Sequence, residues 1–116
     1  MLRVVFILGG FKALIREKWT ISKQYKEACT AMLQDNLASL RAKATLTQEE
    51  LSNIIGCSRQ TYYAIETKQR EMSWAMFLDL CFLYGNLNAT KDMLNDLKVY
   101  PVELFSKFNE EVDVDL

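Results

Sequence analysis

Residues 58–67, SRQTYYAIET, hold the side chains with the most to offer chemically. At about 100° per residue, a helix over this stretch puts Arg59, Gln60, Tyr63 and Thr67 on one side and Tyr62 and Ile65 on the other, with Ala64 at the edge. A guanidinium can bond guanine through two parallel N–H groups, and a carboxamide can do the same to adenine. A phenol can stack on a sugar or touch a thymine methyl, and a residue as small as alanine lets a helix approach closely. Any solvated helix also has a polar face, so this stretch alone leaves groove reading and plain solvation both open.

Bond-making chemistry has much less to work with. The chain contains no histidine, which removes the commonest general base. Cys29, Cys57 and Cys81 are odd in number, widely spaced and form no C-x-x-C pair. With no histidine to complete a ligand set, no metal site is expected. The thiols are read as small buried hydrophobes in a reducing compartment, with a redox switch as the lesser alternative. No enzyme activity and no cofactor is expected.

The elements that must position residues 58–67 are marked nearby. Thr47 followed three residues later by Glu50 is a capping-box signature for a helix that turns Leu51, Ile54 and Ile55 inward. Gly56 tolerates the left-handed turn that ends such a helix, and Ser58 caps the next one. Two helix starts this close, separated by Gly56 and Cys57, leave room for a helix-turn-helix. Upstream, Tyr25, Cys29, Met32, Leu33, Leu37, Leu40 and Ala44 recur at helical steps, which reads as one helix from about Ser22 running into the first helix of the domain.

Downstream, Ser73 caps a helix over residues 74–84 that is apolar nearly all round. Trp74, Phe77, Leu78 and Cys81 form its expected core stripe, while Ala75, Met76 and Phe82 ask for a second cover. Residues 90–97 read as a further helix with Met93, Leu94 and Leu97 inward. Pro101 can open a short amphipathic helix carrying Val102, Leu104, Phe105 and Phe108, a candidate cover or dimerisation element.

Length and charge bound the reading. The 116 residues are enough for one domain with its own core, and 50% hydrophobic with four glycines and one proline is the balance of a largely helical globule. The net charge of −1 gives no overall attraction to nucleic acid. Residues 36–70, however, carry five cations against three acids, and everything from Glu71 onward carries three against nine, so any phosphate-facing surface is local to the first of these. The apolar run at residues 4–11 is too short to span a bilayer, which needs about 20 residues, and no small-residue cleavage site follows it.

Residues 40–85 resemble the helix-turn-helix domain of the phage repressor and Cro family (lambda repressor-like). The likeness rests on LRAKATLTQEELSNIIGCSRQTYYAIETKQR and the following SWAMFLDLCFLYG. It implies an all-α, five-helix bundle, a recognition helix in the major groove and dimeric binding to a two-fold operator. Carried over residue by residue, it gives Arg59, Gln60, Tyr63 and Ala64 as base contacts. Gln48, Thr67, Gln69 and Arg70 become phosphate contacts, with Gln48 aided by its helix dipole. Arg41 and Glu66 match a structural salt bridge. Lys68 stands where the family has glycine, which puts the exit of the recognition helix in question, and Met72 replaces a common proline.

The resulting expectation is an all-α chain in three parts. Residues 1–21 are an N-terminal extension, residues 22–98 the helix-turn-helix domain with a helical N-terminal extension, and residues 99–116 an amphipathic segment, with a short C-terminal helix, and acidic tail. The expected function is that of a cytoplasmic transcriptional regulator, a dimeric repressor bound to double-stranded DNA and not to membrane. The alternative is an antitoxin-like or other protein-binding module on the same scaffold.

Overall fold

A computed structural model describes residues 21–99, and these residues are helical without a strand. The expectations placed on residues 1–20 and 100–116, including the short C-terminal helix, lie outside the described residues. In chain order the helices are α1 (Lys23–Asp35), α2 (Leu37–Lys43), α3 (Gln48–Ile55), α4 (Arg59–Glu66), α5 (Trp74–Asn86) and α6 (Lys91–Leu97). Helices α2 to α6 are the five-helix bundle, and α1 is its helical extension.

The single upstream helix read from the sequence is broken at Asn36. The Asn36 backbone N–H bonds Leu33 O at 3.0 Å instead of reaching back four residues, and its side-chain amide takes the vacated Met32 carbonyl at 2.8 Å. Asn36 O then accepts from Leu40 N to start α2. One polar side chain therefore satisfies the carbonyl that the tighter turn releases, so the break leaves no orphan there. Apolar periodicity runs straight through such a joint, since Leu33, Leu37 and Leu40 are all fully buried.

Helix α3 packs on α4 and α5, and α6 packs on α5. The core joins Leu33, Leu37, Leu40, Leu51, Tyr62 and Ile65 to Phe77, Leu80, Tyr84 and Leu94. Two inward assignments are corrected. Leu78 is 44% exposed, because the buried stripe of α5 runs through Phe77, Leu80, Cys81 and Tyr84 and leaves Leu78 roughly 100° round from Phe77. Ile54 is 55% exposed, because α3 buries Leu51 and Ser52 with Ile55 beside them. Ser52 can occupy a core position because its hydroxyl donates to Glu49 O at 2.8 Å. Met32, in the upstream apolar series, is 46% exposed, and Trp74 stacks on Phe77 at 4.6 Å with Lys26 Nζ over its ring.

Among the described residues, left-handed backbone occurs at four positions that end or join helices, and glycine fills one. Gly56 has φ 81°, whereas Thr45, Lys68 and Lys98 adopt φ 56°, 65° and 54° with full side chains. A Cβ at Gly56 would meet nothing within 4 Å, so backbone conformation alone favours glycine there. Thr45 is the costliest case, since a β-branched residue crowds its own backbone in this region. Left-handed backbone costs an L-residue roughly 1–2 kcal/mol, and the Lys68–Asp35 ion pair, more than half exposed on both sides, offsets little of that. Thr45→Gly and Lys68→Gly should each raise stability in urea by about 1 kcal/mol, Thr45→Gly by more, while Lys68→Val should lower it. Equal midpoints for all three variants would show that these joints store no strain.

Candidate nucleic-acid interface

Helix α3 begins with the capping box read from the sequence. Thr47 Oγ1 accepts from Glu50 N at 3.0 Å, and Glu50 Oε1 accepts from Thr47 N at 2.9 Å, which holds the Glu50 carboxyl below its ordinary value. Gly56 N and Cys57 N both close onto Ser52 O, at 2.9 and 3.0 Å, and turn the chain. Ser58 Oγ then accepts from Thr61 N at 3.0 Å to start α4. Three local devices within twelve residues therefore fix the angle between α3 and α4.

The inner face of α4 is anchored by Tyr62, fully buried, and Ile65, together with a polar network around Glu66. Arg41 Nε donates to Glu66 Oε1 at 2.9 Å and Nη2 to Oε2 at 3.3 Å, a forked pair between α2 and α4. Arg41 Nη1 also donates to Leu46 O at 3.1 Å, bracing the turn before α3. The Gln48 amide makes a short hydrogen bond to Glu66 Oε2, and Tyr62 Oη donates to Oε1 at 3.3 Å. Burial pushes the Glu66 carboxyl up, but the bonds from Arg41, Gln48 and Tyr62 outweigh it and leave it below the ordinary value of 4.5.

The outer face carries the residues singled out for base contact. Arg59, Gln60 and Tyr63 are exposed and Ala64 half-buried, and with Gln69 they line one shallow depression. Arg59 is shared with a second, adjoining depression that contains Gln48, Thr47 and Glu49. Gln48, Arg59, Gln60, Tyr63, Ala64 and Gln69 thus fall on one continuous surface. Thr67 and Arg70 line neither depression. Thr67 Oγ1 turns back to donate to Tyr63 O at 2.7 Å, and Arg70 is exposed at the end of the exit loop.

Two features of this site escape a sequence reading. One N–H of Gln48 is already held by Glu66, so the second is the one left for an outside acceptor. Gln34, on α1, donates through Nε2 to both Ile65 O at 2.7 Å and Arg70 O at 2.8 Å. Nothing in the sequence separates Gln34 from any other polar residue on an amphipathic helix. Cys29 and Cys81 are buried and Cys57 half-buried, and burial raises all three thiols, Cys81 to about 12.

Residues 35–91, just under half of the chain, match the model of the family described as helix-turn-helix domain. The matched stretch spans α2 to α5, and within it α3 and α4 are joined by the tight turn at residues 56–58 in a helix-turn-helix arrangement. No curated protein and no solved structure matches the chain. Among the described residues, no helix is long and apolar enough to cross a membrane.

The Glu66 side chain is 6% exposed and that of Arg41 24%. Arg41→Leu leaves the carboxylate facing only Gln48 and Tyr62, and should cost about 3 kcal/mol, the low end for a broken buried pair, because water still reaches this site. Since folding lowers the Glu66 value, the wild-type stabilisation is full above 4.5 and is lost as pH falls through the depressed value. Urea unfolding from pH 7 to pH 3 should show that loss in the wild type and a smaller one in Arg41→Leu. Parallel profiles would contradict the assignment.

Proposed function

We propose that this chain is a sequence-specific DNA-binding transcriptional regulator of the phage repressor and Cro type, acting in the cytoplasm as a dimeric repressor. The supporting observation is the division of α4 into two faces. The inner face is locked by Tyr62, Ile65 and Glu66, while the outer presents Arg59, Gln60, Tyr63 and Ala64 together on a shallow surface. In this reading α4 lies in the major groove. Arg59 takes guanine O6 and N7, Gln60 adenine N6 and N7, Tyr63 packs on a sugar or thymine methyl, and Ala64 permits close approach. Gln48 donates its free N–H to a phosphate oxygen from the positive end of α3, and Thr67, Gln69 and Arg70 meet the backbone beyond α4.

The reading also assigns a role to exposed apolar surface. Ile54, Phe82 and Leu83 border one depression with Ile55 and Leu87, and Phe82 is 76% exposed. A second copy of the chain meeting this strip would form the dimer and set the half-site spacing. The same strip favours the alternative of an antitoxin-like module, in which a different protein occupies it.

Selection from a random pool should recover a defined duplex whose affinity falls steeply with salt. Arg59→Ala and Gln60→Ala should each cost about 1–3 kcal/mol on that duplex and little on a scrambled one. Wild-type affinity in both variants would exclude α4 from the groove. Phe82→Glu changes an exposed position and should leave the fold intact while shifting sedimentation from dimer to monomer. A monomeric wild type that gains mass only with a stoichiometric protein partner would favour the alternative.

A further inference from the structure

We propose that Gln34, one residue before the matched domain, is the positioning residue for the backbone-facing exit of α4, and so makes α1 part of the DNA-binding apparatus. The inference rests on the DNA-binding reading above. After Glu66 the chain makes a compact exit in which Gln69 N and Arg70 N both bond Ala64 O, at 2.8 and 3.2 Å, around the left-handed Lys68. These bonds tie the exit to its own helix and to no other element. Gln34 supplies the missing link, since its Nε2 bridges Ile65 O in the last turn of α4 and Arg70 O at the end of the exit. Both acceptors are carbonyls, so only the nitrogen end of the carboxamide can face them, and the orientation is set by chemistry.

The neighbouring Asp35 pairs with Lys68, so two consecutive α1 residues hold the same six-residue segment, 65–70. That pair is exposed on both sides and contributes little, which leaves the neutral amide as the effective staple. Because Gln34 grips backbone, it leaves the Gln69 and Arg70 side chains free to face outward while fixing where they start. Preorganising two phosphate-facing side chains removes ordering cost from binding, and removing the staple restores it. The effect is independent of sequence, because phosphate contacts position and do not specify.

The test compares wild type, Gln34→Ala, Gln34→Glu, Arg70→Ala and the Gln34→Ala/Arg70→Ala pair, all in the full chain. Titrations use a duplex recovered from a random pool and a scrambled duplex of the same length. Gln34→Ala should weaken both by a common factor of roughly 3 to 10, the range for one lost hydrogen bond. It should reduce the slope of log affinity on log salt by about 0.9 per lost phosphate contact, and leave the ratio between duplexes unchanged. Gln34→Glu, which turns carboxylate oxygens toward the two carbonyls, should do at least as much, and Gln34→Ala should do less when Arg70 is already alanine.

A DNA-free arm reads the staple directly. Amide exchange at Gln69 and Arg70 should speed up in Gln34→Ala while Gly56 and Cys57, at the α3–α4 turn, keep their wild-type rates. Unchanged exchange at Gln69 and Arg70, or an unchanged salt slope, overturns the proposal. A changed duplex ratio overturns it too, since that would place Gln34 in base discrimination. If the wild-type chain binds neither duplex, the DNA reading fails and takes the phosphate role of Gln34 with it, and the exchange rates alone then decide whether Gln34 orders the exit.

Discussion

The carboxylate of Glu66 is the constraint on which the arrangement of this domain depends. It lies at the last position of α4, almost out of water, and accepts hydrogen bonds from Arg41 on α2, Gln48 at the start of α3 and Tyr62 on its own helix. Placing a carboxylate there is costly, and a forked guanidinium alone would leave lone pairs unmet. Two further donors complete the set. The gain is geometric, since three helices from separate parts of the chain must meet at one point for the network to close. Hydrophobic contacts among Leu40, Leu51, Tyr62 and Ile65 tolerate small slides, whereas this network does not.

That separation of tasks leaves one face of a helix of only eight residues open to an outside partner. α4 is too short to hold its own shape in water, so its order comes from what it packs on. Everything on its inner side is either fully buried or bonded to Glu66, which frees the outer side from any structural duty. Among the described residues, Arg59, Gln60 and Tyr63 have no side-chain hydrogen bond or ion pair that would have to break before an outside partner could be met. Gln48 is the intermediate case, with one amide proton inside the network and the other available. An outside contact through Gln48 is thereby coupled to the position of α4.

How much of this was legible in the sequence follows from the range of each interaction. The α3–α4 unit was readable because its signals are local: Thr47 with Glu50, Gly56 and Ser58 each act within a few residues, and all are present as expected. The largely helical character followed from composition and apolar periodicity, and the all-α, five-helix bundle from the resemblance of residues 40–85 to the phage repressor and Cro domains. Periodicity misled at Leu78 because a helix apolar nearly all round gives no polar marker for its exposed side, and at Ile54 because its neighbour Ile55 offers an equally apolar side chain for the inward place. The break at Asn36 was hidden because the buried leucines keep their spacing across it. Thr45 was illegible for a different reason: a β-branched residue is the last type one assigns to left-handed backbone.

Gln34 marks the limit of sequence reading most sharply. Its two acceptors lie 31 and 36 residues away and are backbone carbonyls, so no residue type at the far end advertises the contact. Arg41 and Glu66 have opposite charges that a pattern can pair, but a side chain that grips backbone has no complementary partner in the sequence. The exit of α4 depends on this kind of contact because its own residues are ill suited to it, with Lys68 in a conformation that favours glycine. A strained exit held by its own hydrogen bonds would fray first, since helix ends are the least protected backbone. In the proposed DNA-binding role, bracing it from α1 moves the cost of ordering residues 67–70 from the moment of binding to the moment of folding, where the core of the domain can bear it.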